Sequence, residues 1–200
     1  MIAGGNMLDS NLIESTRQRL HVAMPPSIAA LHELESVNTR LEIPLQQQEQ
    51  TNWCWAAVTV TVFDFYRNGA GSPQCPVADL ELGRQDCCPR NPQCNEVATL
   101  DLPLRRNGNF RDLQDSPATF PDVITEIINR RPLGCRIEWF QGGSHFLLVN
   151  GFADHPSGMK TIEIADTFYG PSTQNFDTFP ADYQLRGTWT HTYFTKRSEV

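Results

Sequence analysis

The sequence predicts an α+β fold, in which an N-terminal helical part packs against a C-terminal antiparallel β-sheet. Apolar residues at helical spacing dominate before residue 132, whereas runs of β-branched and aromatic residues separated by turn residues dominate after it. The chain has 200 residues, of which 40% are hydrophobic, and this is enough for one sizeable core. We expect one domain over residues 41–200, preceded by an extension over residues 1–40.

The central helix is predicted over residues 54–67, after a strand and a polar loop within residues 40–53. Its run VTVTVF alternates β-branched residues, which by itself indicates a strand. Two alanines and the spacing of four large apolar residues favour a buried helix instead. These apolar residues are Trp55, Val58, Val62 and Phe65.

The next segment, residues 68–118, is rich in Gly, Pro, Asn and Cys, which predicts a loop-rich insertion with one or two short helices. The string TFPDVITEIINRRP, residues 119–132, predicts an amphipathic helix that stops before Pro132. Four strands then follow, and the second and third form an expected antiparallel pair. The strands cover residues 133–140, 145–152, 160–168 and 187–196.

The extension over residues 1–40 contains no aromatic residue and no cysteine. Apolar residues recur at every third position from Ile28 to Val37, and Ser27 is placed to cap a helix there. A surface helix or mobile arm is favoured over a pro-segment or a docking segment, because nothing here carries chemistry. The first residues also lack the basic start and apolar core of a signal peptide.

Charge and hydropathy argue against two classes of partner. The formal net charge is −7 and no basic block is present, which argues against nucleic-acid binding. No run of about eighteen apolar residues exists, so no segment is expected to span a membrane. No cofactor and no catalytic metal are expected.

Cys54 is the candidate nucleophile. It lies between two tryptophans at the predicted start of a helix, where the partial positive charge of the helix N-terminus favours a thiolate. A lone cysteine is more often an inert core residue. Covalent acyl transfer also needs a base, a group that orients this base, and an oxyanion donor.

His145 is the candidate base. Gly142 and Gly143 precede it and let a substrate approach the backbone closely, and an apolar run follows, so the imidazole would begin a core strand. His155 lies in a turn and is expected to be solvated. His191 alternates with polar residues and is expected at the surface.

Asp166 is the candidate orienting residue. It ends the apolar strand TIEIA, and an antiparallel pairing of this strand with residues 145–152 would return its end to the side of His145. Asp154 and Asp177 fall in predicted loops and lack this argument.

Three strings carry a resemblance to a known family: QEQTNWCWAA, GGSHFLLVNGF and IADTFYG. They are similar to the catalytic blocks of papain-like cysteine peptidases, most closely the bacterial AvrRpt2-like (C70) group. The resemblance covers roughly residues 43–195 and implies a papain-like fold. It implies Cys54 as nucleophile, His145 as base and Asp166 as orienting group. In that group a glutamine lies six residues before the nucleophile, which implies Gln48 as the oxyanion donor.

Two features differ from plant papain. Asn52 and Trp53 precede the nucleophile, where the papain-type block has Gly and then Ser or Ala. The third member is Asp166 rather than an asparagine, as in the bacterial group. The residues before the nucleophile border the cleft, so the subsite preference stays open.

Four cysteines lie close together in the insertion: Cys75, Cys87, Cys88 and Cys94. Two disulfides are the favoured state, in which Cys75 pairs with one of the adjacent cysteines and Cys94 with the other. Reduced thiols and zinc are the alternatives, and zinc is disfavoured because no knuckle of two cysteines separated by two residues is present. Cys135 is expected to be buried on a strand.

The leading interpretation is a cysteine endopeptidase that acts on protein or peptide substrates. The same residues could serve other acyl chemistry, such as transglutamination, deamidation or deconjugation, and a catalytically idle interaction module is a third interpretation. Without a signal peptide, the enzyme is expected to be an effector or toxin, secreted or delivered into a target cell, and restrained in its producer by an immunity protein. The resemblance supports this role, because the AvrRpt2-like group includes delivered effectors. A secreted nutritional protease is the alternative, and disulfides, which form outside the cytosol, fit an effector less well.

Overall fold

The computed structural model of the chain describes residues 37–199. The helix and arm predicted over residues 1–36 therefore lie outside the described residues, and the extension stays a prediction. Four residues that we assigned to the extension, Val37–Arg40, form the first strand.

Most helices precede most strands along the chain, so the α+β class is confirmed. The helices are α1 (Cys54–Arg67), α2 (Cys75–Leu82), α3 (Asp101–Arg106) and α4 (Phe120–Ile128), with a 3₁₀ helix over Pro92–Cys94. The strands are β1 (Val37–Arg40), β2 (Phe110–Gln114), β3 (Leu133–Trp139), β4 (Ser144–Asp154), β5 (Lys160–Asp166), β6 (Gly170–Asn175) and β7 (Gly187–Thr195).

The strands form one antiparallel sheet in the order β2-β7-β3-β4-β5-β6. The long strand β4 has three partners, because β3 pairs with its first half and β1 with its second half along the same edge. The opposite edge of β4 pairs with β5. This arrangement brings the start of β4 and the end of β5 together in the middle of the sheet.

Helix α1 begins and ends at the predicted residues, Cys54 and Arg67, and it packs against β4. Twelve of its fourteen residues are buried, which explains why its sequence is apolar on all sides and resembles a strand. The helix ends at Asn68, which adopts a left-handed conformation with φ of 52°. Tertiary burial therefore overrides the β preference of the VTVTVF run.

The predicted helix over residues 119–132 is shorter than expected. A capping box between Thr119 and Asp122 begins α4, which ends at Ile128 rather than at the residue before Pro132. The loop-rich insertion contains α2, α3 and the 3₁₀ helix, close to the predicted one or two short helices. Among residues 37–199, no helix has the length and apolar character that crossing a membrane requires.

Two strands were missed and one was misplaced. Strands β2 and β6 lie at the two ends of the sheet, where polar side chains and Pro171 are tolerated, so neither carries the apolar pattern used for prediction. A strand was expected to begin at about residue 40, but the strand found there, β1, ends at Arg40. Beyond it Leu41 still donates to the Asn150 carbonyl, but Pro44 has no N–H to continue a ladder.

Candidate active site

A cleft of about 330 Å³ opens where the start of α1 meets the start of β4. Its lining includes Gln48 and Cys54 from the helical side and His145 from the sheet. Asp166 lies beneath this surface with no exposure. The structure therefore brings together all four residues that the sequence singled out.

Cys54 is the first residue of α1 and is 7% exposed. The tryptophans on either side anchor it, because the indole N–H of Trp53 donates to the Cys94 carbonyl at 2.6 Å and that of Trp55 to the Glu96 carbonyl at 3.1 Å. No side chain among residues 37–199 caps the N-terminus of α1, so its first backbone N–H groups can donate hydrogen bonds near the cleft. The two tryptophans thus fix the thiol from both sides.

The cysteine cluster holds the segment to which these tryptophans are anchored. The disulfides Cys75–Cys88 and Cys87–Cys94 are formed, which confirms the predicted pairing of each adjacent cysteine with a distant one. The sulfurs of Cys87 and Cys94 lie near Asp86, but they are bonded to each other and are not thiolate ligands for zinc. The two disulfides therefore support the loop before Cys54 and the start of α1.

Asn95 follows Cys94 of the second disulfide and binds the residues directly before Cys54. Its side-chain oxygen accepts from the Asn52 N–H at 2.8 Å, and its carbonyl accepts from the Asn52 amide at 2.8 Å. The amide of Asn95 donates to the Thr51 hydroxyl at 2.8 Å. Asn52 and Trp53, the two residues that differ from the papain-type block, thus both bind the loop that carries the second disulfide.

His145 is the second residue of β4 and is 6% exposed. Its Nε2 lies 2.9 Å from Oδ1 of Asp166, and the ring lines the same cleft as the Cys54 thiol. Burial lowers the pKa of His145, but the hydrogen bonds and charges of Asp166 and Cys54 outweigh it and raise the pKa to about 9. The imidazole therefore stays protonated at neutral pH beside the ionised carboxylate of Asp166.

Asp166 reaches His145 through the antiparallel register that the sequence predicted. It is the last residue of β5 and pairs with Leu147 of β4. Its Oδ1 also accepts from the backbone N–H of Phe168 at 2.6 Å and of Tyr169 at 2.9 Å. Burial raises the pKa of Asp166, but the His145 ring and these two N–H groups lower it overall, so the carboxyl group stays ionised.

Gln48 lines the cleft, but its amide already has partners. Its Nε2 donates to the carbonyls of Gln50 at 3.0 Å and Thr51 at 2.7 Å, and its Oε1 accepts from the Thr167 hydroxyl at 3.3 Å. The Gln48 backbone N–H donates to the Thr167 carbonyl at 2.9 Å. Gln48 thus ties the loop before Cys54 to the turn after Asp166.

A known protein family matches most of this chain. The family model described as papain-like cysteine protease AvrRpt2 matches residues 37–184. The chain belongs to this family. It is a papain-like cysteine protease, a hydrolase, of the AvrRpt2-like group.

One solved structure similar to this AvrRpt2-like protease is a double glycine motif protease from an AMS/PCAT transporter, determined in complex with the leader peptide. The two chains are 18% identical with a TM-score of 0.46, and the similarity covers 78% of this chain and 94% of the other. No curated protein matches this chain.

The sequence did not identify two aromatic residues of the protease's site. The hydroxyl of Tyr183 donates to Oδ2 of Asp166 at 2.7 Å. The ring of Trp139 stacks on that of His145, with centroids 6.0 Å apart. Trp139 lies near the end of a predicted strand and Tyr183 lies in a loop, and neither position carries a pattern that marks a site.

The remaining candidates lie away from the cleft of the protease. His155 hydrogen-bonds Thr161 at 3.3 Å on another surface, and His191 contacts the hydroxyl of Thr190 at 2.9 Å. His191 lies at the surface as expected, with 32% of its side chain exposed, whereas His155 is half-buried and less solvated than expected. Cys135 is fully buried as predicted, and burial raises its thiol pKa well above the ordinary value, which makes it a poor nucleophile.

Proposed function

We propose that this protease is an endopeptidase in which Cys54 is the nucleophile, His145 the base, Asp166 the orienting group and Gln48 an oxyanion donor. One observation carries the proposal: a single buried imidazole hydrogen-bonds a buried carboxylate and lines the same cleft as the thiol at the start of α1. No other histidine among the described residues lines this cleft.

The chemistry follows from these contacts. The Cys54 thiolate attacks the carbonyl carbon of the scissile bond, and a C–S bond and an oxyanion form. The oxyanion collapses, the C–N bond breaks, and the proton of the His145 imidazolium passes to the departing amine. His145 then takes a proton from water, the resulting hydroxide attacks the thioester, and the Cys54 thiolate leaves as the acid product forms.

Oxyanion stabilisation has two sources near Cys54. The first-turn N–H groups of α1 have no side-chain cap, and they point toward the cleft end of the helix. The Gln48 amide donates to the Gln50 and Thr51 carbonyls, so it must redirect one proton to act on the oxyanion. This requirement makes Gln48 a donor that engages when substrate is bound.

Gln48→Ala should leave a folded enzyme whose kcat is lower by about 10²–10³, the usual effect of losing one oxyanion donor. Initial rates on a peptide substrate measure this change. The matched control is Gln47→Ala, since that neighbouring side chain is exposed and should tolerate truncation without loss of activity. A kcat for Gln48→Ala as high as that of Gln47→Ala would mean that Gln48 is not an oxyanion donor.

The pH profile provides a further prediction. The raised pKa of His145 keeps the imidazole protonated below about pH 9, so kcat/KM should fall as the pH rises through about 9. Asp166→Asn removes the carboxylate charge that raises this pKa, so the fall should move toward lower pH. Rates between about pH 6 and 10.5 give the pH of the fall in both enzymes. A fall near 6.5 in the unaltered enzyme would contradict the ion pair of His145 with Asp166.

Product analysis separates hydrolysis of peptide bonds from other acyl chemistry on the same residues. Mass spectrometry of a proteome treated with the enzyme should detect new peptide termini that are absent with Cys54→Ala. Mass changes on glutamine or lysine side chains, without new termini, would favour deamidation, transglutamination or deconjugation instead. The same data would give the cleavage-site preference.

For its biological role, we propose a protease that is secreted or delivered into a target cell as an effector or toxin, with an immunity protein in the producer. Two disulfides support release from the cytosol, because such bonds persist in oxidising compartments. They support a secreted nutritional protease equally well, so the test must address toxicity.

Expression of residues 1–200 in bacteria should arrest growth only when Cys54 is present. The comparison uses Cys54→Ala in the same vector, in one strain with a reducing cytosol and one with an oxidising cytosol. Growth arrest that requires Cys54 supports the toxin role. Normal growth in the presence of soluble, active enzyme would contradict it for targets shared with that host.

A further inference from the structure

The buried carboxylate of Asp166 has one oxygen that the proposed nucleophile and base do not use. Its Oδ1 serves His145 and two backbone N–H groups, whereas its Oδ2 accepts from the Tyr183 hydroxyl at 2.7 Å. Tyr183 is 1% exposed, so its hydroxyl and this carboxylate oxygen meet inside the protein. A chain of hydrogen-bonded side chains therefore runs from Tyr183 through Asp166 to His145, which lines the same cleft as Cys54.

We propose that Tyr183 is a positioning residue of this site, whose hydroxyl fixes the carboxylate plane of Asp166 and thereby the imidazole of His145. The inference rests on the proposed function, since it assigns to Tyr183 the support of a base that acts on Cys54. Unlike a purely structural role, this role predicts that loss of the Tyr183 hydroxyl slows the chemical step.

The backbone around Tyr183 forms a constrained turn. Its N–H donates to the Gly187 carbonyl at 2.8 Å and its carbonyl accepts from the Gly187 N–H at 2.9 Å. Between them, Gln184 and Leu185 both adopt left-handed conformations, with φ of 55° and 59°. Non-glycine residues hold such conformations where the surrounding structure imposes them, and they cluster at functional sites.

The ring of Tyr183 is fixed from several directions. It stacks on Trp139 with centroids 6.3 Å apart, and Trp139 in turn stacks on His145. Gly187 lies so close to this surface that an added Cβ would be 2.4 Å from Ile137 and 2.6 Å from Trp139. The turn and the base thus share one aromatic support, and Tyr183 has little freedom to move its hydroxyl.

The hydroxyl acts only as a donor toward Asp166. Burial raises the pKa of Tyr183 and the Asp166 charge raises it further, so the phenol stays protonated. Without this hydroxyl, Oδ2 would be a buried carboxylate oxygen that lacks its donor. The carboxylate would then turn from its present plane, and its hydrogen bond to His145 would weaken.

Tyr183→Phe tests this role because it keeps the ring and removes only the oxygen. We expect kcat to fall about tenfold with little change in KM, since the hydrogen bond lost is one to a charged group. The alkaline fall of kcat/KM should also move below its position near pH 9, because a loosened carboxylate raises the His145 pKa less.

Tyr66→Phe is the matched control. Tyr66 is also a buried tyrosine, and its hydroxyl bonds Thr195 at 2.7 Å, so the same chemical group and a similar hydrogen bond are removed. It lies twelve residues after Cys54 on α1, which is about 18 Å along the helix. This variant should keep the kcat and the alkaline limb of the unaltered enzyme, whatever its thermal stability.

The inference is overturned if Tyr183→Phe keeps its alkaline limb unchanged, or if Tyr66→Phe alters kcat and the limb equally. An unaltered enzyme without Cys54-dependent activity would instead overturn the proposed function itself. Should Tyr183→Phe not fold, carbon-13 at Cζ of the four tyrosines gives the answer in otherwise unaltered protein. Asp166→Asn must then shift the Tyr183 resonance and leave that of Tyr66 in place, and an unmoved Tyr183 resonance overturns the inference.

Discussion

Cys54→Ala is expected to abolish peptidase activity and to leave the fold intact. The covalent step requires the sulfur, and no other cysteine among the described residues lines the cleft. Alanine is a strong helix former and fits the buried first position of α1, so the free energy of unfolding should change by about 1 kcal/mol or less. In a protein of this size that corresponds to a shift of roughly 2–4 °C in the thermal midpoint.

Cys135→Ala is the matched control, since Cys135 is the second free cysteine among residues 37–199. It is fully buried on β3 and away from the cleft, so its loss should cost stability and spare activity. Rates and thermal midpoints of both variants measure the two effects separately. Peptidase activity that survives Cys54→Ala would exclude Cys54 as the nucleophile.

His145→Ala is expected to remove almost all activity, by about 10⁴-fold, because nothing in the cleft replaces the base. Asp166→Asn is expected to keep partial activity, roughly 10–100-fold below the unaltered enzyme, the cost of weakening a charged hydrogen bond. The asparagine oxygen can still accept from the imidazole and from the two backbone N–H groups. Its amide would face Tyr183, whose hydroxyl can turn to accept.

Steady-state rates of the two variants give this comparison, with His191→Ala as the control for loss of a histidine outside the cleft. The control should keep full activity. Equal and complete loss in His145→Ala and Asp166→Asn would mean that the charge of Asp166, and not only its hydrogen bond, is required for the reaction.

Much of the sheet was predictable because buried strands carry their burial pattern in the sequence. Strands β3, β4, β5 and β7 each contain apolar runs that reach the core, and all four were predicted. Strands β2 and β6 are edge strands with one neighbour each. Polar side chains are tolerated there, so these sequences carry no apolar pattern from which a strand could be predicted. Burial on all sides also made α1 ambiguous by pattern, and its two alanines together with the helical spacing of its large apolar residues decided the prediction.

The site was predictable to the extent that strand register determines it. An antiparallel β4–β5 pair forces Asp166 next to His145, and this follows from sequence order. The partners of Gln48 and Tyr183 depend on the course of loops, which no periodicity encodes. The same holds for the disulfide loop that anchors the tryptophans beside Cys54.

Covalent labelling tests the central claim, that the Cys54 thiol is the nucleophile, most directly. The enzyme is treated with an epoxide that carries a short peptide, and residual activity is compared with the adducts found by peptide mass spectrometry. We predict one adduct, on Cys54, whose extent matches the loss of activity, while Cys135 stays unmodified because it is fully buried. Full activity with Cys54 completely labelled, or inactivation with Cys54 unlabelled, would contradict the account.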